Sequence, residues 1–276
     1  MKSKIFTNLF DVKSGTFSSD MLKLLAALTM LIDHIGAGIL SPLLLHMELD
    51  PNTEILMSGT YSLLRLIGRI SFPIYTFLLV QSFSYTSNKV KFALNLLIFG
   101  ILSELPFDLL INGKIDSSHQ NVFWTLFIGL LAIWAIDVTL KAKLAIPLKL
   151  FLSMIISAAG LFFAYMLRTD YQWMGILMIL SLYFLRDYRK IQCFVTSILF
   201  FLALLIHYRF YFNSFGETLL FNLETEWPVF FAFLLIRKCN GRRLIRKGKY
   251  LFYAFYPVHF AVLWGVLKIL QHYFSL

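Results

Sequence analysis

Long apolar stretches separated by short polar segments cover most of the chain. A helix needs about 20 mostly apolar residues to cross the hydrocarbon core of a bilayer. The stretches that approach or exceed this length are 21–45, 61–85, 90–111, 122–140, 144–167, 173–185, 191–211, 219–236 and 250–273. This pattern predicts an all-α polytopic membrane protein with about nine transmembrane helices, in a range of eight to ten.

Two of these stretches depart from the simple pattern of a straight span. The stretch 173–185 is short, and the stretch 219–236 is interrupted by Glu224, Glu226 and Pro228. Either segment can be tilted or re-entrant, since irregular backbone is tolerated at membrane depth where protein surrounds it. No long polar linker divides the chain, so residues 1–276 are predicted to form a single membrane domain.

The composition supports a membrane protein and excludes other classes. Hydrophobic residues make up 59% of the 276 positions and charged residues only 14%. A soluble domain of this size has too little interior to bury so much apolar surface. The composition therefore excludes a soluble enzyme and a disordered chain. The two cysteines, Cys193 and Cys239, are too few for a disulfide scaffold and are expected to be free thiols.

The distribution of charge predicts the orientation in the membrane. The formal net charge is +10, from 25 basic and 15 acidic side chains. Most basic residues lie in the N-terminal segment, in alternate loops and in the run 237–249. By the positive-inside bias, the N-terminus is predicted to be cytoplasmic and the C-terminus outside. Membrane lipid is therefore the expected partner of these basic segments, and nucleic acid is not expected.

Charged side chains inside the first stretch are candidates for chemistry, because such residues are costly in lipid. Lys23 and His34 are eleven residues apart, which places them within about 20° on one helical face and about 16 Å apart along the axis. A phosphate-bearing cofactor held by Lys23 would therefore extend toward His34. Histidine suits the role of general base, and the adjacent Asp33 can tune it. The alternative is a structural histidine and a lysine that snorkels to the interface.

The second and third stretches carry two basic and two acidic residues inside the membrane. Arg65 and Arg69 share one helical face, as do Glu104 and Asp108. Two interpretations remain open: the four charges pair between adjacent helices, or they form a substrate site. Pro73 and Pro106 are expected to kink the helices near these charges and open a cavity.

The last stretch and the basic run before it hold further candidates. His259 follows Tyr256 and Pro257 and is expected at a depth similar to that of His34. A structural role and a catalytic role for His259 are weighed equally. The basic run, which includes Arg246 and Lys247, is typical of a segment that binds anionic lipid, and it could also bind a cofactor phosphate.

Signatures of other chemistry are missing from the sequence. There is no His-x-x-x-His pair and no cysteine cluster, so no metal is expected. A Walker loop, a dinucleotide fingerprint and a nucleophile elbow are absent as well. ATP-driven transport and serine hydrolase chemistry therefore have no support.

Six short strings occur in a specific order along the chain: LKLLAALTMLIDHIG at 22–36, RISFPI at 69–74, SELPFD at 103–108, NVFWTL at 121–126, DY at 170–171 with Gly175, and YAFYPVH at 253–259. This ordered set resembles the TraX family of bacterial membrane proteins. The resemblance covers nearly the whole chain, although residues 142–167 match only in hydropathy. The family is associated with conjugative plasmids and with acetylation of the N-terminal amine of pilin.

The resemblance extends to transmembrane acyltransferases, whose O-acetylases carry a basic residue eleven positions before a catalytic histidine. It implies an acyltransferase-like bundle in the bacterial inner membrane that transfers acetyl from cytoplasmic acetyl-CoA to a pilin-like or other exported peptide. His34 would be the base, Asp33 its orienting residue, and His259 would complete the catalytic set. The cofactor would be held by Lys23, Arg246, Lys247 and Tyr256, and the acceptor by Arg69, Glu104, Asp108 and Asn121.

Two alternative functions remain at this point. The same enzyme class could act on a hydroxyl of a cell-envelope glycan. A transporter could instead use the buried Arg, Glu and His residues to relay protons, although the chain lacks the paired halves typical of transporters. Direct transfer and transfer through acetylated His34 are both open.

Overall fold

The structure is a computed structural model, and it describes residues 15–242 and 249–274. Over these ranges the chain forms twelve α-helices and a five-residue π-helical turn, Gly36–Leu40, between the first two of them. The α-helices are α1 Ser19–Ile35, α2 Ser41–His46, α3 Pro51–Gly68, α4 Ser71–Tyr85, α5 Lys89–Ile111, α6 Val122–Lys141, α7 Ile146–Met166, α8 Gln172–Phe184, α9 Arg189–Tyr208, α10 Phe215–Thr225, α11 Pro228–Arg237 and α12 Lys249–Phe274.

The helices confirm the prediction of a polytopic all-helical membrane protein. In the described ranges, 7 helical stretches are long and apolar enough to cross a membrane. Helices α10 and α11 meet at a bend of 49° and together make an eighth. Helix α8 has 13 residues and is apolar but shorter than a bilayer crossing. The two stretches that departed from the simple pattern in the sequence are therefore the bent pair and the short helix.

The second helical stretch begins earlier than its hydropathy indicates. The sequence predicts a span from residue 61, whereas α3 begins at Pro51. The side chain of Asp50 accepts hydrogen bonds from the backbone amides of Asn52 and Thr53, and Pro51 occupies the first helical position. This combination of an acidic cap and a following proline favours a helix start in spite of the polar composition.

The interior is formed by contacts between helices that are distant in sequence. Helix α12 packs along α5, and α1 lies against both α3 and α4. A single cluster of buried apolar residues joins α1, α4, α5, α6, α8, α9, α11 and α12. Helix α7 is peripheral, with Phe151, Met154 and Phe163 on its exposed side. In a membrane, such an exposed apolar surface is covered by lipid tails.

The segment before α1 pairs with the segment after α11 at one end of the bundle. The backbone amide of Phe17 donates to the carbonyl of Lys238 (3.1 Å), and the amide of Asn240 donates to the carbonyl of Phe17 (2.8 Å). The amide of Ser19 donates to the carbonyl of Arg242 (3.0 Å). The start of α1 and the beginning of the basic run therefore lie at the same end of the bundle. The prediction that both segments are cytoplasmic requires this arrangement.

A cluster of charges joins the adjacent ends of α5 and α6. Asp137 accepts hydrogen bonds from the ammonium groups of Lys89 (2.9 Å) and Lys141 (2.7 Å), and from the hydroxyl of Tyr183 (3.2 Å). Both lysines belong to segments that the charge distribution predicts to be cytoplasmic. The cluster closes one end of this helix pair, and none of its four residues lines the cavity described next.

Candidate functional site

A cavity of about 650 Å³ runs between α1, α4, α5, α6 and α12. Lys23 at the start of α1 and Lys91 at the start of α5 line one end of it. The other end is lined by Asp33 and His34 at the end of α1 and by Asp170 in the loop before α8. Its volume falls in the range of roughly 300–1,000 Å³ that ligand sites occupy.

Helix α1 contributes one face to this cavity. Lys23, Met30 and His34 all line it, as the spacing of eleven residues between the charged pair predicts. The ammonium of Lys23 lies 3.0 Å from the carboxylate of Asp20 and 5.7 Å from the centre of the Phe252 ring. The lysine is thus held at the cavity end by contacts within the bundle.

The two histidines of the site are in direct contact. Nδ1 of His34 lies 2.7 Å from Nε2 of His259, and the two rings are stacked at 5.0 Å. Nδ1 of His259 lies 2.7 Å from the carbonyl oxygen of Phe255. A carbonyl oxygen only accepts, so the proton of His259 is assigned to Nδ1 and its Nε2 accepts from Nδ1–H of His34. This chain leaves the lone pair of His34 on Nε2, where a general base needs it.

Asp33 is hydrogen-bonded to Arg65 and not to His34, its neighbour in the sequence. Its Oδ2 accepts a hydrogen bond from Nη1 of Arg65 at 2.6 Å and lies 3.9 Å from Nε2 of His34. Gly68 allows this approach, because a Cβ at that position would lie 2.1 Å from Oδ1 of Asp33. The residue that orients the His34 ring by a hydrogen bond is therefore His259, and Asp33 provides negative charge near Nε2.

Of the two interpretations left open for the four charges, the pairing of the two arginines with Glu104 and Asp108 does not occur. Arg65 binds Asp33, and Nε of Arg69 lies 3.2 Å from Oε1 of Glu226, which is 2% exposed. Glu226 is located at the bend between α10 and α11, a position that the sequence pattern marks only as an interruption. The arginines therefore face α1 and the bent pair rather than α5.

The four residues predicted to bind the acceptor lie outside the cavity wall. Glu104 accepts hydrogen bonds from the side-chain amide of Asn121 (2.7 Å) and from the indole of Trp124. Asn121 caps α6, and Asp108 accepts from the backbone amide of Asp116 (3.0 Å). All four residues, Arg69, Glu104, Asp108 and Asn121, thus have partners within the bundle. Their role in acceptor binding stays a prediction.

Aromatic side chains surround the histidine pair. Tyr256 is 3% exposed, lines the cavity and meets the ring of His34 edge-on at 6.1 Å. Phe260 lies 4.4 Å from the same ring. Packing of this kind restricts the rotation of the imidazole and keeps its Nε2 atom in one direction.

Sequence reasoning does not select three charged residues of the cavity wall, Asp20, Lys91 and Asp170. Lys91 is one of the basic residues of the alternate loops, and Asp170 stands out in the sequence only as part of a motif. The alternation of basic loops could have indicated Lys91, because it places the starts of α1 and α5 at one membrane surface.

Two residues predicted to hold the cofactor, Arg246 and Lys247, lie outside the described residues. Among the described residues, no group of three or more His, Cys, Asp and Glu side chains is arranged to hold a metal ion.

We expect replacement of His259 by alanine to lower any turnover that depends on the lone pair of His34. The variant loses the acceptor that fixes the proton of His34 on Nδ1, so the ring is free to place that proton on Nε2. Turnover should fall by about 10- to 100-fold, in line with the loss of a supporting contact. Steady-state kinetics should show this fall in kcat, while the KM for a ligand that binds at the Lys23 end of the cavity stays within about twofold of wild type. An unchanged kcat would contradict this assignment.

The fold and the cavity define a polytopic helical membrane protein with a histidine pair at the end of a long internal pocket. The model of the TraX protein family matches residues 18–267, and the chain belongs to that family. A curated relative is the probable fimbrial assembly protein FimC, serogroup H1, of Dichelobacter nodosus. It is 29% identical over 266 residues, which cover 92% of this chain and 98% of the relative. No solved structure matches the chain.

Proposed function

We propose that this protein is a membrane acetyltransferase that transfers acetyl from acetyl-CoA to the N-terminal amine of an exported peptide. One observation carries the proposal: a single cavity joins two lysines at one end to His34 at the other, and His34 is hydrogen-bonded to His259 behind the cavity wall. Acyl transfer from a thioester needs a base at the reacting carbon and a site for a distant charged handle. The two ends of the cavity offer these two features.

The shape and lining of the cavity fit a long thioester donor. Lys23 and Lys91 would hold phosphate groups at the end that the charge distribution predicts to be cytoplasmic. Lys91 is exposed and has no ion pair among the described residues. The wall between the two ends includes Tyr75, Leu79 and Phe92, which suit the slender uncharged arm of such a donor. The rise of α1 from Lys23 to His34 is about 16 Å.

The chemistry assigned to the far end uses the lone pair of His34. Nε2 accepts a proton from the acceptor as the acceptor nitrogen attacks the thioester carbonyl, and it returns that proton to the departing sulfur. The Asp33 carboxylate, 3.9 Å away, stabilises the imidazolium formed in between. The hydroxyl of Tyr256 is a donor that could meet the developing oxyanion. Transfer through acetylated His34 would use the same nitrogen.

The biological setting proposed is the bacterial inner membrane. The curated relative is named as a probable fimbrial assembly protein, and this name supports a pilin-like peptide as the acceptor. A glycan hydroxyl is the alternative acceptor for the same site. Both acceptors would reach the site from the membrane or from its outer side, since the two lysines occupy the predicted cytoplasmic end.

The double variant Lys23→Ala/Lys91→Ala is expected to weaken use of acetyl-CoA. Each lysine contributes a charge-assisted contact to phosphate, so the KM for acetyl-CoA should rise by about tenfold or more. S-acetylpantetheine carries no phosphate, and its KM should be the same for the wild type and the variant. Release of free thiol, followed for both donors, measures the two values.

Lys143→Ala is the matched control, because Lys143 is exposed in a predicted cytoplasmic loop and does not line the cavity. Its kinetics should equal those of the wild type. An equal loss with both donors would mean that the two lysines act on stability rather than on phosphate, and the donor assignment would then be withdrawn.

A further inference from the structure

We propose that Asp170 is the residue that binds the cationic amine of the acceptor and selects amines over hydroxyls. This inference rests on the proposed transfer function and adds a residue to its site. Asp170 lies in the loop between α7 and α8 and lines the same cavity as Asp33, His34 and Tyr256. It is the one carboxylate at that end whose charge is not matched by an adjacent cation in the described part of the chain.

The charges at this end of the cavity can be paired one by one. Arg65 binds Asp33 at 2.6 Å, and Arg69 contacts Glu226 at 3.2 Å. Over residues 15–242 and 249–274, no basic nitrogen lies within 4.0 Å of the Asp170 carboxylate. His119, Arg65 and Arg69 reach it only through longer-range electrostatics. A cationic ligand group at this place would complete the pairing, whereas a neutral hydroxyl would not.

The backbone around Asp170 is held in an unfavourable conformation. Arg168, Tyr171 and Gln172 have φ of 48°, 61° and 41°, and they are the described non-glycine residues with positive φ. Side chains with a Cβ rarely adopt this region, and such strain persists where the surroundings enforce it, often at functional sites. All three lie within two residues of Asp170, so the strain is concentrated on the turn that carries this carboxylate.

Several contacts enforce the position of this turn. The amide of Asp170 donates to the carbonyl of Gln120 (2.8 Å), and its own carbonyl accepts from the hydroxyl of Thr125. The ring of Tyr171 stacks on Phe72 at 3.7 Å with an interplanar angle of 3°. These contacts fix the backbone that carries the Asp170 side chain at the cavity wall. Such rigidity is the expected property of a binding group.

The proposed role gives a balanced reaction. An N-terminal ammonium, with a usual pKa of about 8, enters mostly charged and pairs with Asp170. It passes one proton to that carboxylate, and the neutral amine attacks the thioester carbon. As the C–N bond forms and the C–S bond breaks, His34 takes the second proton and delivers it to the leaving thiolate. Asp170 then releases its proton to water, so the net products are the acetylated amine, CoA and one proton.

The test compares two peptides that differ in one group. One is a short peptide with N-terminal alanine, and the other has lactate in place of that alanine, so that a hydroxyl replaces the ammonium. The purified full-length chain is assayed with acetyl-CoA and each peptide. Asp170→Asn should raise the KM for the amine peptide by about tenfold or more and leave the KM for the lactyl peptide within about twofold.

Asp187→Asn is the matched control, since Asp187 is an exposed carboxylate that does not line the cavity, and this variant is expected to behave as wild type. Equal KM changes for both peptides, or none, would overturn the role of Asp170 and leave the transferase in place. No acetyl-CoA turnover by the wild type with either peptide would overturn the proposed function itself. If Asp170→Asn does not fold, the wild type decides the question, because equal use of the two peptides contradicts the inference.

Discussion

Replacing His34 by alanine is expected to slow acetyl transfer strongly while leaving acetyl-CoA binding intact. General acid–base catalysis by one side chain contributes about 10²- to 10⁴-fold, and kcat should fall by that amount. Lys23 and Lys91 lie at the opposite end of the cavity, so the dissociation constant for the donor should change by less than about threefold. Stopped-time assays of thiol release and equilibrium binding of acetyl-CoA measure the two quantities.

His34→Gln and His272→Ala complete this experiment. Glutamine can still donate to Nε2 of His259 but offers no ring base, so its turnover should remain near that of His34→Ala. His272 is an exposed histidine near the end of α12, and its replacement should leave turnover unchanged. Wild-type turnover in His34→Ala would show that the base lies elsewhere.

Replacing Arg69 by methionine should produce the largest loss of stability. The change leaves the carboxylate of Glu226, which is 2% exposed, without its cation. Removing one partner of a buried ion pair costs about 3–5 kcal/mol, since the remaining charge keeps its desolvation penalty. Titration of the folded protein in mixed micelles with a denaturing detergent, followed by circular dichroism, measures the free energy of unfolding.

The double variant Arg69→Met/Glu226→Met provides the internal check. Exchanging a buried pair for apolar side chains of similar volume is often neutral or stabilising, so the double variant should recover most of the lost free energy. Arg209→Met, at an exposed arginine, should stay within about 0.5 kcal/mol of the wild type. Additive losses in the double variant would mean that the two residues do not act as a pair.

The sequence predicts well the features of this protein that depend on local periodicity. The shared face of Lys23 and His34 follows from the helical repeat alone, and both residues line the cavity. The apolar stretches likewise correspond to helices, including the short α8 and the bent pair α10–α11. The second stretch differs most. It begins earlier, because the Asp50 cap outweighs the polar composition that follows it, and it is divided into α3 and α4.

Pairings between distant helices are beyond the reach of the same reasoning. Arg65 and Arg69 share one helical face, and their spacing is compatible with several partners. The acidic residues that follow next in the sequence lie on α5, which makes α5 one candidate partner. Their partners Asp33 and Glu226 are selected by which helices pack together, and Gly68 permits one of these contacts through its missing side chain. Asp170 is similar, since its placement depends on a strained turn that no periodicity encodes.

The most direct test of the central claim is transfer of an isotope-labelled acetyl group. The purified protein is incubated with acetyl-CoA carrying a trideuterated acetyl group and with the alanine peptide, and the products are analysed by mass spectrometry. We predict peptide labelled at its N-terminal nitrogen together with an equal amount of free CoA, and loss of both products in His34→Ala. Unlabelled peptide and intact acetyl-CoA after incubation with the wild type would contradict the account.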